Sequence, residues 1–184
     1  MSLRLATGLL LIGLVGCGAD GQADNQRSGE GPMENATITT FALTSDAFAD
    51  GEPIPTQFSC DGAGQPPPLA WSEPPQGTQS FALIVDDPDA PSGTFRHWGA
   101  SDIPASARSF SGTFQQAVND FGKSGYGGPC PPKGHGPHRY RFKLFALDVD
   151  KLDVAPGAKV QDVEAAAEKH FVGRAELTGK YERK

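Results

Sequence analysis

The sequence predicts a mainly β domain with turn-rich loops and a helix toward the C-terminus. Its 184 residues include 23 glycines and 16 prolines, which favour turns and interrupt helices. Hydrophobic residues make up 38% of the chain, and 11 phenylalanines and 2 tryptophans provide large side chains to bury. This composition argues against a helical bundle, a coiled coil and wholesale disorder, and the length suits one domain of ordinary size.

Short runs of β-branched, aromatic and aliphatic residues predict the strands. The run SFALIV at residues 80–85 is apolar throughout, which is typical of a strand buried on both faces. The run HRYRFKLFALDV at residues 138–149 begins by alternating aromatic or aliphatic with basic side chains, so the basic ones are predicted to face solvent. Strands are predicted at residues 37–44, 80–85, 96–101, 138–149 and 175–181.

One helix is predicted at residues 160–172. Apolar side chains recur there near helical spacing, from Val160 to Phe171. Gly173 follows and is expected to cap the C-terminal end of the helix.

The N-terminal residues predict export and a lipid anchor. Residues 1–15 carry one charge, Arg4, before an apolar run far shorter than the ~20 residues that span a bilayer, as in a secretory signal. Cys17 follows Leu-Val-Gly, which resembles the bacterial lipobox, in which the cysteine is acylated, for example with palmitate. The predicted division is a signal peptide at 1–16, a lipidated Cys17 with its tether at 17–35, and a folded domain at 36–184.

The anchor would hold the domain at the bacterial cell envelope, attached to a membrane through its lipid. The tether has no aromatic or β-branched residue, so it is expected to be flexible. Glycine rather than aspartate at position 18 favours the outer membrane over the inner one.

Two clusters of polar residues carry the predicted chemistry. The first, DDPDAP at residues 86–91, follows the SFALIV strand directly, and its prolines hold the carboxylates on a stiff turn. His97 and Trp98 come shortly after it. The second, GYGGPCPPKGHGPHRY at residues 125–140, lies mostly in a long Gly- and Pro-rich loop, and loops of that length are usually functional. Singly, each element is more often a plain turn or a core side chain, but together they predict a site.

The two clusters closely resemble the signatures of the phosphatidylethanolamine-binding protein family, also called the Raf kinase inhibitor protein family. That family carries DPDAP followed by HW, and PPKG followed by HRY. Here these motifs stand at residues 87–91 and 97–98, and at residues 131–134 and 138–140. The resemblance covers most of residues 36–184, and the sequence around the motifs is similar to that of the bacterial branch of the family in particular. It implies an antiparallel Greek-key β-sandwich with one or two helices toward the C-terminus.

The resemblance also implies a small pocket for phosphate-like anions or phosphorylated head groups, including those of phospholipids. Imidazole, phenol and loop N–H groups could donate to such a ligand, while the carboxylates would orient a histidine or accept from a protonated ligand. Binding that uses a protonated histidine would weaken as pH rises past about 7. Carried over residue by residue, the ligand-binding set is Asp87, Asp89, Pro91, His97, Pro131, Pro132, His138 and Tyr140.

Inhibition of a protease or a signalling enzyme through protein contact is the alternative function, because the family includes kinase and protease inhibitors. A metal-dependent hydrolase is disfavoured, since the sequence lacks closely spaced metal-ligand pairs and a Gly-x-Ser-x-Gly nucleophile motif. We therefore expect no enzymatic activity, no metal and no cofactor. The net charge of −6 and the absence of a long basic run argue against nucleic-acid binding.

The three cysteines fit an exported and lipidated protein. With Cys17 acylated, Cys60 and Cys130 remain as a pair in an oxidising compartment, and a disulfide between them is predicted. It would tether the Gly/Pro loop beside the pocket, and it requires Cα atoms within roughly 7 Å.

Overall fold

The computed structural model describes residues 41–184, which form two antiparallel sheets and one α-helix. The predictions for the signal peptide, for Cys17, for the tether and for the first part of the 37–44 strand lie outside these residues. Within the described range, no helix combines the length and the apolar character that a membrane crossing requires. The elements in chain order are β1 (Leu43–Thr44), a 3₁₀ turn (Thr56–Phe58), β2 (Ala70–Trp71), β3 (Ser80–Asp87), β4 (Phe95–Pro104), β5 (Gln115–Gln116), β6 (His138–Leu147), α1 (Val160–His170) and β7 (Phe171–Tyr181).

The larger sheet has the strand order β5-β4-β3-β6-β7, and every neighbouring pair in it is antiparallel. Strands β3, β4 and β5 are consecutive neighbours, and β6 returns through a long connection to lie beside β3, which is the Greek-key arrangement. The two-stranded sheet of β1 and β2 contributes to one apolar core with the larger sheet. The predicted mainly β, antiparallel Greek-key sandwich is thereby confirmed.

Strand β3 is buried along its whole length because both of its faces are covered. Its odd-numbered apolar residues pack in the core shared with β1 and β2, and its even-numbered ones pack against α1. This two-sided burial explains the uninterrupted apolar run in the sequence. The first set is Phe81, Leu83 and Val85, and the second is Ala82 and Ile84, which meet Val160, Val163 and Ala167 of α1.

The helix α1 is shorter than predicted, and Gly173 does not cap it. Phe171 follows the last helical residue with extended dihedral angles (φ −78°, ψ 135°), and β7 begins there without a loop. Gly173 pairs with Ala146 inside the β6–β7 ladder. The helix ends where the pairing of β7 with β6 begins, so the strand predicted at 175–181 starts at Phe171 instead.

The basic face of β6 is also less exposed than its alternating pattern predicted. Lys143 is only 6% exposed, because α1 covers it. Its ammonium group pairs with Glu164 of α1 and, at 2.8 Å, with Asp86 of β3. Asp86 also accepts two hydrogen bonds from Arg141, at 2.8 and 3.0 Å. Buried charges require such partners, so this ion cluster is part of the packing between helix and sheet.

Candidate functional site

A small recess opens at the edge of the larger sheet, where β3 ends and β4 and β6 begin. Its cavity volume is about 130 Å³, below the ~300–1,000 Å³ of sites for drug-sized ligands, so it fits a small chemical group. Its walls come from the turn after β3, the start of β4, the 120–137 loop and the start of β6. The lining residues are Asp87, Ala90, Pro91, Phe95, His97, Phe121, Cys130, Pro131, Pro132 and His138.

The structure brings six of the eight predicted ligand-binding residues together in the wall of this pocket: Asp87, Pro91, His97, Pro131, Pro132 and His138. The remaining two, Asp89 and Tyr140, do not line it. Ligand binding by each of the eight stays a prediction.

Asp89 forms an ion pair with Arg139. Its carboxylate accepts from Nε and Nη2 of Arg139, at 2.9 and 2.7 Å, and from the main-chain N–H of the same residue at 2.9 Å. These bonds and the guanidinium charge lower the pKa of Asp89 to about 2. The carboxylate therefore fixes the turn after β3 to the start of β6.

Asp87 is buried at the end of β3 with both carboxylate oxygens in use. Oδ1 accepts from the main-chain N–H of Asp89 at 2.8 Å, a contact typical of aspartate in turns. Oδ2 accepts from Nδ1 of His138 at 2.7 Å. The side chains of Asp87 and His138 are only 4% and 3% exposed, so this pair is held in a fixed orientation away from bulk water.

His138 has hydrogen-bond partners at both ring nitrogens. Because an ionised carboxylate can only accept a hydrogen bond, Nδ1 of His138 carries the hydrogen and donates the bond to Asp87. Nε2 lies 2.8 Å from Nδ1 of His135, which donates to it when both rings are neutral. His138 therefore forms a fixed part of the pocket wall, and His135, which was not predicted as a site residue, holds it from the other side.

A β-bulge positions His97. Between β3 and β4 the pairing passes from Val85–Trp98 to Asp86–Arg96, which leaves His97 as the extra residue of β4. Bulges change the direction of a side chain, and here the imidazole lies 5.1 Å from the ring of Tyr140, measured between centroids. Its Nδ1–H donates to the carbonyl of Gly127 at 2.9 Å, so Nε2 carries the lone pair of the neutral ring. Burial lowers the pKa of His97, against the opposing effects of the Gly127 carbonyl and the charge of Asp87.

Tyr140 is fully buried, and its hydroxyl has no hydrogen bond of good geometry within the described residues. Burial raises the pKa of this phenol, and the neighbouring carboxylate of Asp87 adds to the effect. The hydroxyl is therefore a neutral polar group close to the Asp87–His138 pair.

Asn119 organises the loop that bounds the pocket. It was not predicted as a site residue, since its only signal in the sequence is the preference of asparagine for turns. Its side-chain amide donates to the carbonyls of His97, at 3.3 Å, and Gly125, at 2.9 Å. Its side-chain oxygen accepts from the main-chain N–H groups of Phe121 and Lys123. The side chain thus joins β4 to both ends of a tight turn.

The predicted disulfide between Cys60 and Cys130 is present, with a Cα–Cα distance of 5.4 Å. Cys130 lines the pocket, and the main-chain N–H of Cys60 donates to the carbonyl of Pro129 at 3.1 Å. The bridge therefore fastens the pocket loop to the segment that follows the 3₁₀ turn. Among residues 41–184, no group of three or more His, Cys, Asp or Glu side chains is arranged to hold a metal ion.

The family model described as phosphatidylethanolamine-binding protein matches residues 44–182, well over half of the chain. The chain belongs to the phosphatidylethanolamine-binding protein family. This membership supports a binding role in general terms.

Relatives and solved structures agree with the assignment to the phosphatidylethanolamine-binding protein family. A UPF0098 protein of Aquifex aeolicus is 47% identical over 76% of this chain and 86% of its own length. A Mycobacterium tuberculosis protein named "Putative lipoprotein LppC" is 39% identical over 94% of this chain and 92% of its own length. The crystal structure of Escherichia coli YbcL, described as a member of the mammalian PEBP family, matches with a TM-score of 0.74 and 36% identity over 78% of this chain and 99% of that one.

Proposed function

We propose that the pocket binds a small phosphate-like anion, either free or as the phosphorylated head group of a larger molecule such as a phospholipid. The observation that carries the proposal is the convergence of six predicted ligand-binding residues in one recess of about 130 Å³. Membership of a family described as phosphatidylethanolamine-binding proteins supports the same ligand chemistry.

The carboxylate of Asp87 can lie in the wall of an anion pocket because both of its oxygens already accept hydrogen bonds. Its two oxygens accept from His138 and from the Asp89 main chain, so part of its charge is offset before a ligand arrives. His97 is the neighbouring group that can change its protonation, since Nδ1 is engaged and Nε2 has a lone pair. A hydrogen bond between Nε2 of His97 and the phosphate needs a proton, which neither Nε2 of the neutral imidazole nor the phosphate dianion carries. The complex therefore takes up one proton, held by either His97 or the phosphate.

Titration of the purified protein with inorganic phosphate and phosphoethanolamine, followed by calorimetry, tests the proposal, with ethanolamine as the ligand that lacks phosphate. We expect both phosphate compounds to bind, and their affinity to fall as pH rises past about 7. His97→Gln should weaken binding by about 10- to 100-fold, the effect of losing one charge-assisted hydrogen bond.

The matched control is His170→Gln, which removes an exposed histidine paired with Asp148 at 3.2 Å, away from the pocket lining. This variant should bind phosphate like the unsubstituted protein. If no phosphate compound binds between about pH 5.5 and 8, or if ethanolamine binds as well as phosphoethanolamine, the proposal is wrong.

The proposed role is binding without catalysis. The described pocket lining contains no serine or threonine hydroxyl, the sulfur of Cys130 is held in the disulfide, and both carboxylate oxygens of Asp87 already accept hydrogen bonds. Phosphoethanolamine should therefore remain intact during the titration, and release of inorganic phosphate in proportion to protein concentration would contradict this part of the proposal.

We also propose that Cys17 is acylated and anchors the protein in the cell envelope, in the outer membrane by preference. The relative named "Putative lipoprotein LppC" supports this, since its match covers 94% of this chain and so extends into the N-terminal region. Metabolic labelling with a fatty acid should mark the protein expressed in bacteria, and Cys17→Ala should abolish the label. Separation of inner from outer membranes locates the labelled protein.

A further inference from the structure

The mouth of the pocket carries an aromatic side chain that the proposed anion does not need. Phe121 is 45% exposed, although it is a large hydrophobic residue, and it lines the pocket. Its ring lies against Phe95 at 4.7 Å and against His97 at 5.3 Å, measured between centroids. Phe95 and His97 are themselves 5.0 Å apart, so the three rings form one cluster at the pocket.

The surrounding backbone is built to hold this exposed ring in place. The main-chain N–H of Phe121 donates to the side chain of Asn119, and Gly122 completes the turn at φ +75°, a conformation that favours glycine. A Cβ atom at Gly127 would lie 2.6 Å from the ring of Phe121, so only glycine leaves room for it. The turn therefore places Phe121 at the mouth of the pocket, and Gly127 leaves space for its ring.

The rest of the lining has the same character. Beside the polar groups of Asp87, His97 and His138, most of the wall is apolar, formed by Ala90, Pro91, Pro131, Pro132 and the two phenylalanines. A bare phosphate ion would leave this apolar surface exposed to water. A ligand that carries an apolar group beside its anionic group would bury both surfaces at once.

We propose that Phe121 determines specificity at this pocket, and that the ligand class is a phosphate-type anion bearing a compact apolar group, such as an aryl ring, which packs against Phe121 and Phe95. The inference rests on the proposed anion binding and adds the second half of the ligand. The anionic group would lie toward His97, and the apolar group would lie at the mouth against the edge-to-face pair of rings.

Calorimetric titrations with inorganic phosphate, methyl phosphate and phenyl phosphate test the inference. We expect phenyl phosphate to bind about tenfold more tightly than methyl phosphate, because its ring loses contact with water. Phe121→Ala should abolish this preference, so that phenyl and methyl phosphate bind with similar affinity. Phe121→Leu, which keeps apolar surface without the ring, should retain part of the preference.

The matched control is Phe171→Ala, because Phe171 is similarly exposed, at 47%, but does not line the pocket. It should leave the preference unchanged. Equal affinities for phenyl and methyl phosphate, or a preference that survives Phe121→Ala, would overturn the inference while inorganic phosphate still binds. Phosphocholine is titrated as a further ligand: if it alone bound more tightly than methyl phosphate, the inference would also be overturned, since that result assigns the rings to a cation. Absence of binding by every phosphate compound would instead refute the proposed function, and this inference with it.

Discussion

Two adjacent carboxylates, Asp86 and Asp87, lie on opposite faces of the end of β3 and have opposite kinds of surroundings. Asp86 faces α1, where it pairs with Arg141 and Lys143 in a cluster completed by Glu164. Asp87 faces the pocket, where it accepts from His138 and from the main chain of its own turn. Strand geometry separates the two residues, because successive side chains point to opposite faces.

The two faces differ in how completely their polar groups are paired. On the helix face each buried charge is matched by an opposite charge, so the cluster is closed. On the pocket face polar groups keep bonding capacity, such as the buried Tyr140 hydroxyl and Nε2 of His97. Both residues are buried, with exposed fractions of 1% for Asp86 and 3% for Asp87, so burial alone does not distinguish them.

Replacing each carboxylate in turn should give the largest contrast. Asp86→Ala removes one partner of a buried ion cluster, and we expect the free energy of unfolding to fall by about 3–5 kcal/mol. Asp87→Ala leaves one histidine N–H and one main-chain N–H without acceptors, and the loss should be about 1–3 kcal/mol. Urea denaturation measures both values.

Phosphate binding separates the same two variants in the opposite order. Asp87→Ala should weaken phosphate binding, because His138 loses the bond that orients it, whereas folded Asp86→Ala should bind normally. Equal destabilisation by the two substitutions, or a binding defect in Asp86→Ala under conditions where it is folded, would show that the two faces are not separate.

The disulfide should stabilise the pocket side of the molecule. Replacing Cys60 and Cys130 by serine should lower the free energy of unfolding by about 2–4 kcal/mol, mainly because the unfolded chain regains freedom. NMR signals of His97 and His138 should move, since Cys130 lines the pocket, while signals of α1 should stay. A reductant should reproduce these changes in the unsubstituted protein and have no effect on the double serine variant. Unchanged stability after confirmed reduction would contradict the prediction.

Those features of the two faces that depend on local sequence pattern were predicted from the sequence. The apolar run of β3, the helix and the two motifs are properties of short segments, and the structure has all of them. The closed cluster around Asp86 could not be predicted, because it depends on which face of β6 receives α1. The alternation of residues 138–149 indicated only that Lys143 lies opposite the core, and the helix then covered it.

The position of individual site residues depended on features that sequence patterns do not record. His97 reaches the pocket side through a bulge, which is visible only in the register between β3 and β4. His135 meets His138 because a turn brings residues three apart together, and nothing in the motif separated it from the other loop residues. Helix length was overestimated for the same reason, since the pairing of β7 with β6 overrides local helical spacing.

The protonation of His97 should make stability depend on pH. Its pKa is lowered in the folded protein, so below the ordinary value of about 6.5 the unfolded chain binds a proton that the folded protein does not. Stability is therefore present above about pH 6.5 and is lost as pH falls below it. Urea denaturation from pH 5 to 8 should show this decline, and His97→Gln should reduce it. A profile for His97→Gln that matches the unsubstituted protein would assign the decline to other groups.

Asp89 should show the smallest effect, which sharpens the contrast with Asp87 two residues earlier. Its pKa of about 2 in the folded protein lies below the ordinary value of 3.8, so its pair with Arg139 stabilises the fold above about pH 4 and is lost as pH falls toward 2. Because the side chains of Arg139 and Asp89 are 56% and 30% exposed, Asp89→Asn should lower stability at pH 7 by less than about 1 kcal/mol. Phosphate affinity should change by less than about twofold, since the carboxylate does not line the pocket. A loss of affinity as large as that in Asp87→Ala would support the predicted ligand-binding role of Asp89 and would require the turn after β3 to rearrange when the ligand binds.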